Sequence, residues 1–540
     1  MVMAGCSTIC AILLASLAAV VHCEVFSALA TLTDSLHREK VLAHGLRQYV
    51  ELEQNRLQKV LALADDYDEH ADRALVNAES YIANPINAYL FVKKFTSELP
   101  QTQELVSSDE NSRLFLDMLE EHRPYLPDNE DLEGVVAAVL RLQDTYELTS
   151  QRIADGTFTP INRSPPLTAA DCYQFGVHAH DRQDYYHTLL WMEEAHTRRL
   201  REASNSTASL PSILDYLSFA CYNQGNLRHA KYLTEQWIKL EPNHDRALSN
   251  LIYFNNEIEK EEASKLESKT GDDGVLPPLK NKRTADSYRS GAEFKTYEAL
   301  CRGEDVKPNP YVHKLRCFYT TSGDHPLLML APVKVEEFYL DPYIVLYHDV
   351  ISDKEIKVMK EISTPKLARA TVNDPATGKL VTAHYRVSKS AWLRDEMHPT
   401  VQTLSNRISA ITHLSMEKAE DLQIQNYGIG GQYEPHCDHA RPSVDVRQFE
   451  EHRGNRVATF LIYFTDVDAG GLTVFTQIGA KIPPVKGAAA FWHNLKPDGE
   501  GDDNTRHAGC PVLSGSKWVA NKWIHERGQE FMRPCGLSPN

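Results

Sequence analysis

The 540-residue chain has no run of 18 or more apolar residues, so no membrane-spanning helix is expected. Positive charge is scarce: 57 Lys and Arg against 74 Asp and Glu leave a net charge of −17. Such a surface repels a phosphate backbone, which sets nucleic-acid partners aside. Gly (26) and Pro (27) are too few for a collagenous or low-complexity chain. No cysteines are spaced C-x-x-C, which argues against a zinc ribbon or a dithiol redox motif. What remains is an ordinary globular composition, 42% hydrophobic and 24% charged, long enough for several domains.

The longest apolar stretch, Ala11 to Val21, is too short to cross a bilayer but suits the hydrophobic core of a secretory signal cleaved near Cys23. A buried helix is the plainer alternative, and the flank lacks the usual Lys or Arg. Cleavage leaves Cys172, Cys221, Cys301, Cys317, Cys437, Cys510 and Cys535 in an oxidising compartment, where pairs form. Cys301 and Cys317, and Cys510 and Cys535, are each close in sequence with polar flanks; closing the second loop would contribute ~3–4 kcal/mol. Asn205-Ser206-Thr207 is a glycosylation sequon, whereas Pro165 weakens Asn162-Arg163-Ser164. The final Leu537-Ser538-Pro539-Asn540 is no retention tetrapeptide, so the chain is expected to be secreted or held in the secretory pathway by a partner.

Residues 24–160 read as helical. Leu46, Val50, Glu53, Leu57, Val60 and Ala64 step by three and four, a heptad stripe with one charged defect. It suits either an amphipathic helix packed on its neighbours or a helix-pairing, dimerising segment. Residues 165–256 read as paired helices. Gly225-Asn226-Leu227-Arg228-His229-Ala230, Trp237 and Leu240-Glu241-Pro242-Asn243 fit the second half of a tetratricopeptide repeat, with a degenerate copy around Gly176 and Tyr185–Ala195. The region is rich in aromatics, among them Tyr185, Tyr216, Phe219 and Tyr222. These are either core or a groove that stacks on a polyproline II ligand. Residues 257–335 read as a charged helix end and linker. From 336 to 540 short β-rich runs alternate with turns, as in a sandwich or jelly roll, with one helix at Asp353–Ile362.

The chemistry concentrates in Gly430-Gly-Gln-Tyr-Glu-Pro-His436-Cys437-Asp438. On an extended strand His436 and Asp438 share a face and Cys437 points away. With His507 they form a two-histidine, one-carboxylate set, which leaves open positions on an octahedral metal and suits non-haem Fe(II). Lys517, ten residues further on, can meet the far carboxylate of a dicarboxylic cosubstrate as a point charge. His439, His452, His493 and His525 are read as bystanders.

These motifs, with Gly454-Asn-Arg456, Asp466-Val-Asp-Ala-Gly-Gly471, Gly499-Glu-Gly-Asp502, Arg506-His507-Ala508 and Lys517-Trp-Val-Ala-Asn-Lys-Trp523-Ile-His-Glu-Arg-Gly-Gln-Glu530, resemble the collagen prolyl 4-hydroxylase α subunits. The resemblance is dense over 336–535, clear over 165–256 and looser before that. It implies a helical dimerisation region, a peptide-substrate domain with tetratricopeptide-like helices, and a double-stranded β-helix (jelly roll) catalytic domain. It implies 4-hydroxylation of proline in X-Pro-Gly repeats with 2-oxoglutarate and dioxygen, and L-ascorbate as reductant. By position it makes His436, Asp438 and His507 the iron ligands and Lys517 the 2-oxoglutarate anchor. It places Tyr427, Thr473 and Trp523 around the cosubstrate and assigns substrate contacts to the aromatic helices. It also implies Cys301–Cys317 and Cys510–Cys535 disulfides, and an α2β2 tetramer in the endoplasmic reticulum lumen whose β subunit is protein disulfide isomerase. One departure is Cys437, where the family commonly has an aromatic; packing is expected there. Two rival readings are an oxygenase of another secreted proline-rich protein and a binding scaffold with an inactive barrel.

Overall fold

The computed structural model describes residues 25–78, 99–157, 164–202, 206–264, 276–283, 288–373, 380–383, 385–440 and 452–538. The expected signal segment 1–23 and the glycosylation residue Asn205 lie outside these residues. The described chain divides into two units, one holding Ala30–Asp128, the other Phe26–Leu29 and everything from Asn129 onward.

The first unit is helical: α1 (Leu29–Leu75), α2 (Leu99–Ser107) and α3 (Glu110–His122). Gly45 is buried on α1, and a Cβ there would collide with Met118 of α3, so the missing side chain sets how closely these helices approach. The heptad stripe divides. Leu46, Val50 and Leu57 stay exposed, whereas Glu53 lies on the covered side and pairs with Arg56.

The second unit opens with α4 (Asn129–Thr145), followed by α5 (Ala169–Asp181), α6 (Tyr185–Glu202), α7 (Leu210–Asn223), α8 (Leu227–Leu240) and α9 (Asp245–Ser264). From α5 on, each helix packs on the next. Thr168 and Asp171 close a reciprocal capping box at the start of α5. Gly225 takes φ +77° in the turn after α7, a conformation that penalises any Cβ, and Ala230 is fully buried where α8 meets its neighbours. The repeat signature therefore marks a real helix–turn–helix.

The remainder is mostly β. Strands β1 (Cys317–Thr320), β2 (Val333–Leu340), β3 (Tyr343–His348), β4 (Ala368–Arg369), β5 (Ser388–Leu393), β6 (Leu422–Tyr427), β7 (Tyr433–His436), β8 (Arg456–Tyr463), β9 (Thr473–Phe475), β10 (Ala480–Ile482), β11 (Ala489–His493), β12 (His507–Gly509) and β13 (Trp518–His525) form two sheets. The larger runs β1-β2-β3-β11-β8-β13-β6-β5-β4, the smaller β10-β9-β12-β7. One buried cluster joins Tyr427, Tyr463, Trp492 and Val519 of the larger sheet to Phe475 and Ile482 of the smaller. The expected helix appears at Asp353–Ser363, with Ser352 and Glu355 forming its capping box.

Part of the stretch expected as linker belongs to this core. Helix α10 (Ala292–Cys301) buries Phe294, Tyr297 and Leu300 against Val474 and Ala508 of the smaller sheet. That packing corrects the expected disulfides. Cys301 is bonded to Cys510, 209 residues away, while Cys317 and Cys535 are both unbonded and exposed. Proximity in sequence misled because β1 carries Cys317 to the outer edge of the larger sheet, whereas α10 delivers Cys301 to the end of β12. Non-reducing peptide mapping is expected to recover Cys301 linked to Cys510, and a Cys301–Cys317 crosslink would overturn this. Cys510→Ser should lower unfolding stability by about 5 kcal/mol, the loop-entropy scale for so long a loop.

Candidate metal centre

The site depends on one cross-strand pair. β7 is the outermost strand of the smaller sheet, and His436 at its end lies opposite His507, the first residue of β12. Pro435 lacks an N–H, which an edge strand tolerates, and the register shifts beside it. The shift lets the strand end at His436 and the chain turn so that Asp438 folds back between the two imidazoles. Asp438 Oδ1 is 3.7 Å from His436 Nε2, and Oδ2 is 3.6 Å from His507 Nε2. All three groups offer ligand atoms within 4.8 Å of one another.

Each ligand is held from behind. His436 Nδ1 donates to the Glu434 carbonyl (2.8 Å) and His507 Nδ1 to the Thr505 carbonyl (2.9 Å). Both Nε2 lone pairs then face inward, the tautomer a metal requires. Burial and the neighbouring His507 push the His436 imidazole down to about 3, so it stays neutral. Burial alone would raise the Asp438 carboxyl, but His507, His436, Arg456 and the Thr459 hydroxyl hold it well below the usual carboxylate range. Two imidazoles with their Nε2 atoms turned inward and one carboxylate fit Fe(II) and leave room for a chelating cosubstrate.

Thr459 and Asn494 carry no motif, and their role emerges only in three dimensions. Thr459 Oγ1 donates to Asp438 Oδ2 at 2.7 Å, and Asn494 Nδ2 donates to Thr459 Oγ1 at 2.9 Å. The available signal was a lone threonine in the apolar run Ala458–Phe464, on the same strand face as pocket-lining Leu461. Arg456 is a further support: half-buried, paired with Glu420 and lying 3.9 Å over the Trp523 ring. Burial opposes ionisation of Glu420, yet Arg456 and His525 bring it down to about 2.

The cavity beside the triad is lined by Tyr427, Thr473, Lys517 and Asn521, among others. Trp523 is not among them, contrary to expectation. It shares a strand face with Lys517, Val519 and Asn521 but lies beyond them, beneath Arg456 and 6.1 Å from Trp392. Tyr427 is buried and raised to about 12 by that burial, so it stays a neutral phenol with Lys517 Nζ 5.0 Å from its ring. Lys517 is 2% exposed, and its Nζ donates to the Gly471 carbonyl at 2.7 Å. Arg506 and Lys522, the other cations nearby in sequence, are paired with Glu293 and Asp395.

The helical half places the other candidates. Tyr185, Tyr216 and Phe219 are half-buried and gather edge-on around His180, with ring centroids 4.8–6.2 Å apart. Tyr222 lies apart from them, its hydroxyl 2.6 Å from that of Tyr253.

Comparison with known proteins adds three matches along the chain. Residues 28–160 match the model of the prolyl 4-hydroxylase α-subunit N-terminal region and 169–260 that of the prolyl 4-hydroxylase peptide-substrate-binding domain. Residues 422–525 match the 2OG-Fe(II) oxygenase superfamily. Prolyl 4-hydroxylase subunit alpha-1 of Rattus norvegicus is 44% identical over 519 residues, 96% of each chain. Prolyl 4-hydroxylase subunit alpha-2 of Gallus gallus is 44% identical over 95% of each. A solved viral collagen prolyl hydroxylase from Paramecium Bursaria Chlorella virus-1 is 24% identical over 34% of this chain and 95% of its own, with a TM-score of 0.27.

Two outcomes follow from the geometry. Thr459→Val should weaken Fe(II) binding about tenfold or more, the scale for losing a group that orients a metal ligand, measured by equilibrium dialysis under anaerobic conditions. Burial holds the Lys517 ammonium down to about 7, so in the ligand-free protein it is largely neutral at pH 8. A carboxylate arriving beside it favours the charged form, so 2-oxoglutarate binding should take up close to one proton there. Affinity should fall by about tenfold per pH unit above 7. Calorimetry in two buffers of different ionisation enthalpy reads the uptake; none at pH 8 would contradict it.

Proposed function

The chain belongs to the prolyl 4-hydroxylase α-subunit family, and from that premise we infer that it is the catalytic α subunit of a procollagen-proline 4-dioxygenase. It hydroxylates proline in X-Pro-Gly repeats with Fe(II), 2-oxoglutarate, dioxygen and L-ascorbate, and it works in the endoplasmic reticulum lumen. The observation that carries the activity is the convergence of His436, Asp438 and His507 beside a buried lysine. An inactive scaffold would have no use for three pre-oriented ligands and a desolvated ammonium.

In this reading His436, Asp438 and His507 hold the iron, and Lys517 meets the distal carboxylate of 2-oxoglutarate. Iron with its cosubstrates supplies the oxidative decarboxylation and C–H oxidation. The protein's own part is positioning. The Nδ1–H bonds fix both imidazoles, Thr459 aims the carboxylate, and Tyr427 and Thr473 shape the cosubstrate's berth. Thr473 accepts a hydrogen bond from Tyr463 at 2.8 Å, which keeps its hydroxyl from turning at will. The two sheets are read as a double-stranded β-helix with the site between them. Domain limits of 24–160, 165–256 and 336–540 are retained as the working division, with α10 acting as a brace to the last.

Substrate is assigned to the helical repeats, where Tyr185, Tyr216 and Tyr222 would stack on the pyrrolidine rings of a polyproline II peptide. The partner is read as protein disulfide isomerase in an α2β2 assembly. The exposed Leu46, Val50 and Leu57 of α1 support a helix-pairing role in it.

Co-expression with protein disulfide isomerase, light scattering on the purified complex and a 2-oxoglutarate decarboxylation assay test these assignments together. The complex should have the mass of an α2β2 tetramer, and turnover should rise on adding a Pro-Pro-Gly peptide. It should vanish in His436→Ala, Asp438→Ala and His507→Ala complexes that still assemble. Faster turnover on a proline-rich peptide lacking X-Pro-Gly would favour a different secreted substrate. Tyr216→Ala or Tyr222→Ala should raise the peptide KM by roughly 5- to 30-fold, equivalent to about 1–2 kcal/mol of lost stacking, with the 2-oxoglutarate KM unchanged.

A further inference from the structure

β7 ends at His436, and in the bend that follows Asp438 joins the iron site while its neighbours Cys437 and His439 belong to a different cluster. Cys437 and His439 there meet Asp503, which begins the short helical turn leading into His507. A thiol, an imidazole and a carboxylate offer one ligand atom each, all within 4.8 Å of one another, with His439 Nε2 3.9 Å from Asp503 Oδ1. We propose that Cys437, His439 and Asp503 form a second metal site, for a zinc-type divalent cation, back to back with the iron site.

The donor set selects the ion. Thiolate with imidazole suits zinc and its neighbours, whereas calcium and magnesium prefer all-oxygen cages. Tetrahedral zinc with these ligands needs donor atoms about 3.3–3.7 Å apart. The three groups therefore have to close by about 1 Å at most. Asp503 supplies that movement, since its side chain is 80% exposed on a short turn. His439 is the fixed element. Its ring is buried and fills the space a side chain at residue 501 would take, so that a Cβ on Gly501 would collide with it. Cys437 is half-buried near Arg506, which is anchored on Glu293. Three protein ligands leave a fourth position for water at the surface.

The placement has a consequence for the first site. Residues 436–439 and 503–507 each carry iron ligands on one side and second-site ligands on the other. A cation at the second site crosslinks the two segments whose separation sets the iron geometry. Binding at either site then favours binding at the other by the same factor.

Cobalt(II) replaces zinc as a visible probe, because a thiolate bound to it gives a charge-transfer band that a two-histidine, one-carboxylate site does not. The full chain in its purified complex is titrated with Co(II), beside Cys437→Ser, Asp503→Asn and His507→Ala complexes. The thiolate band should develop in the unmodified chain, persist in His507→Ala, and be lost or clearly weakened in Cys437→Ser. Asp503→Asn removes one exposed ligand without disturbing the core and should need about tenfold more cobalt for the same band. No thiolate band at saturating cobalt overturns the proposal. So does a band that the Cys437→Ser complex reproduces at full intensity, or one whose cobalt dependence Asp503→Asn leaves unchanged.

Discussion

Everything at the reactive centre depends on a register: β7 must pair with β12 so that His436 stands opposite His507. A slip of one residue would turn every side chain of the edge strand to the other face, sending His436 away from His507. Edge strands slip most readily, since only one side is hydrogen-bonded. Here several contacts resist slippage. Tyr433 stacks on His436 with centroids 3.6 Å apart and carries Arg386 4.7 Å above its ring. On the partner strand, the Cys301–Cys510 bond ties the end of β12 to α10, whose aromatic face covers the sheet from outside.

The same register explains how one short segment serves two chemistries. The inward residues face a buried cavity in which Lys517 donates to a backbone carbonyl. A desolvated ammonium is a poor tenant of such a place unless an anion arrives, and the same burial weakens the lysine's basicity. Half-buried Cys437 and buried His439 meet the exposed Asp503, where a thiol and an imidazole gain a third donor. Neither arrangement requires a motif beyond the alternation of a strand and its turn.

The helical half works by different physics. Its helices are built from local contacts and caps, with Gly225 and Ala230 setting the turn and the close approach. Its aromatics meet one another edge to face around His180. No residue of this aromatic set contributes a ligand to the metal centre.

The sequence by itself determined the order of the parts, the ligand trio and Lys517. Each of these is local: a period of side chains, a spacing of ligand types, or a lone lysine ahead of a buried strand. The helix at Asp353 was legible for the same reason, since Ser352 and Glu355 spell out its cap within four residues. Tertiary structure alone decided the rest. The disulfide partner of Cys301 depends on where α10 docks, and nothing within sixteen residues of Cys301 records that Cys510 ends the strand it docks against. Trp523 falls outside the cosubstrate cavity because β13 runs past it, a matter of strand length rather than residue type. Thr459 and Asn494 support Asp438 only because β8 and β11 pass beneath it. His439 reads as one bystander among 23 histidines until the chain folds Asp503 against it. Spacing along a strand states which way a side chain points, but what it meets there is settled by long-range packing, which one-dimensional periodicity does not encode.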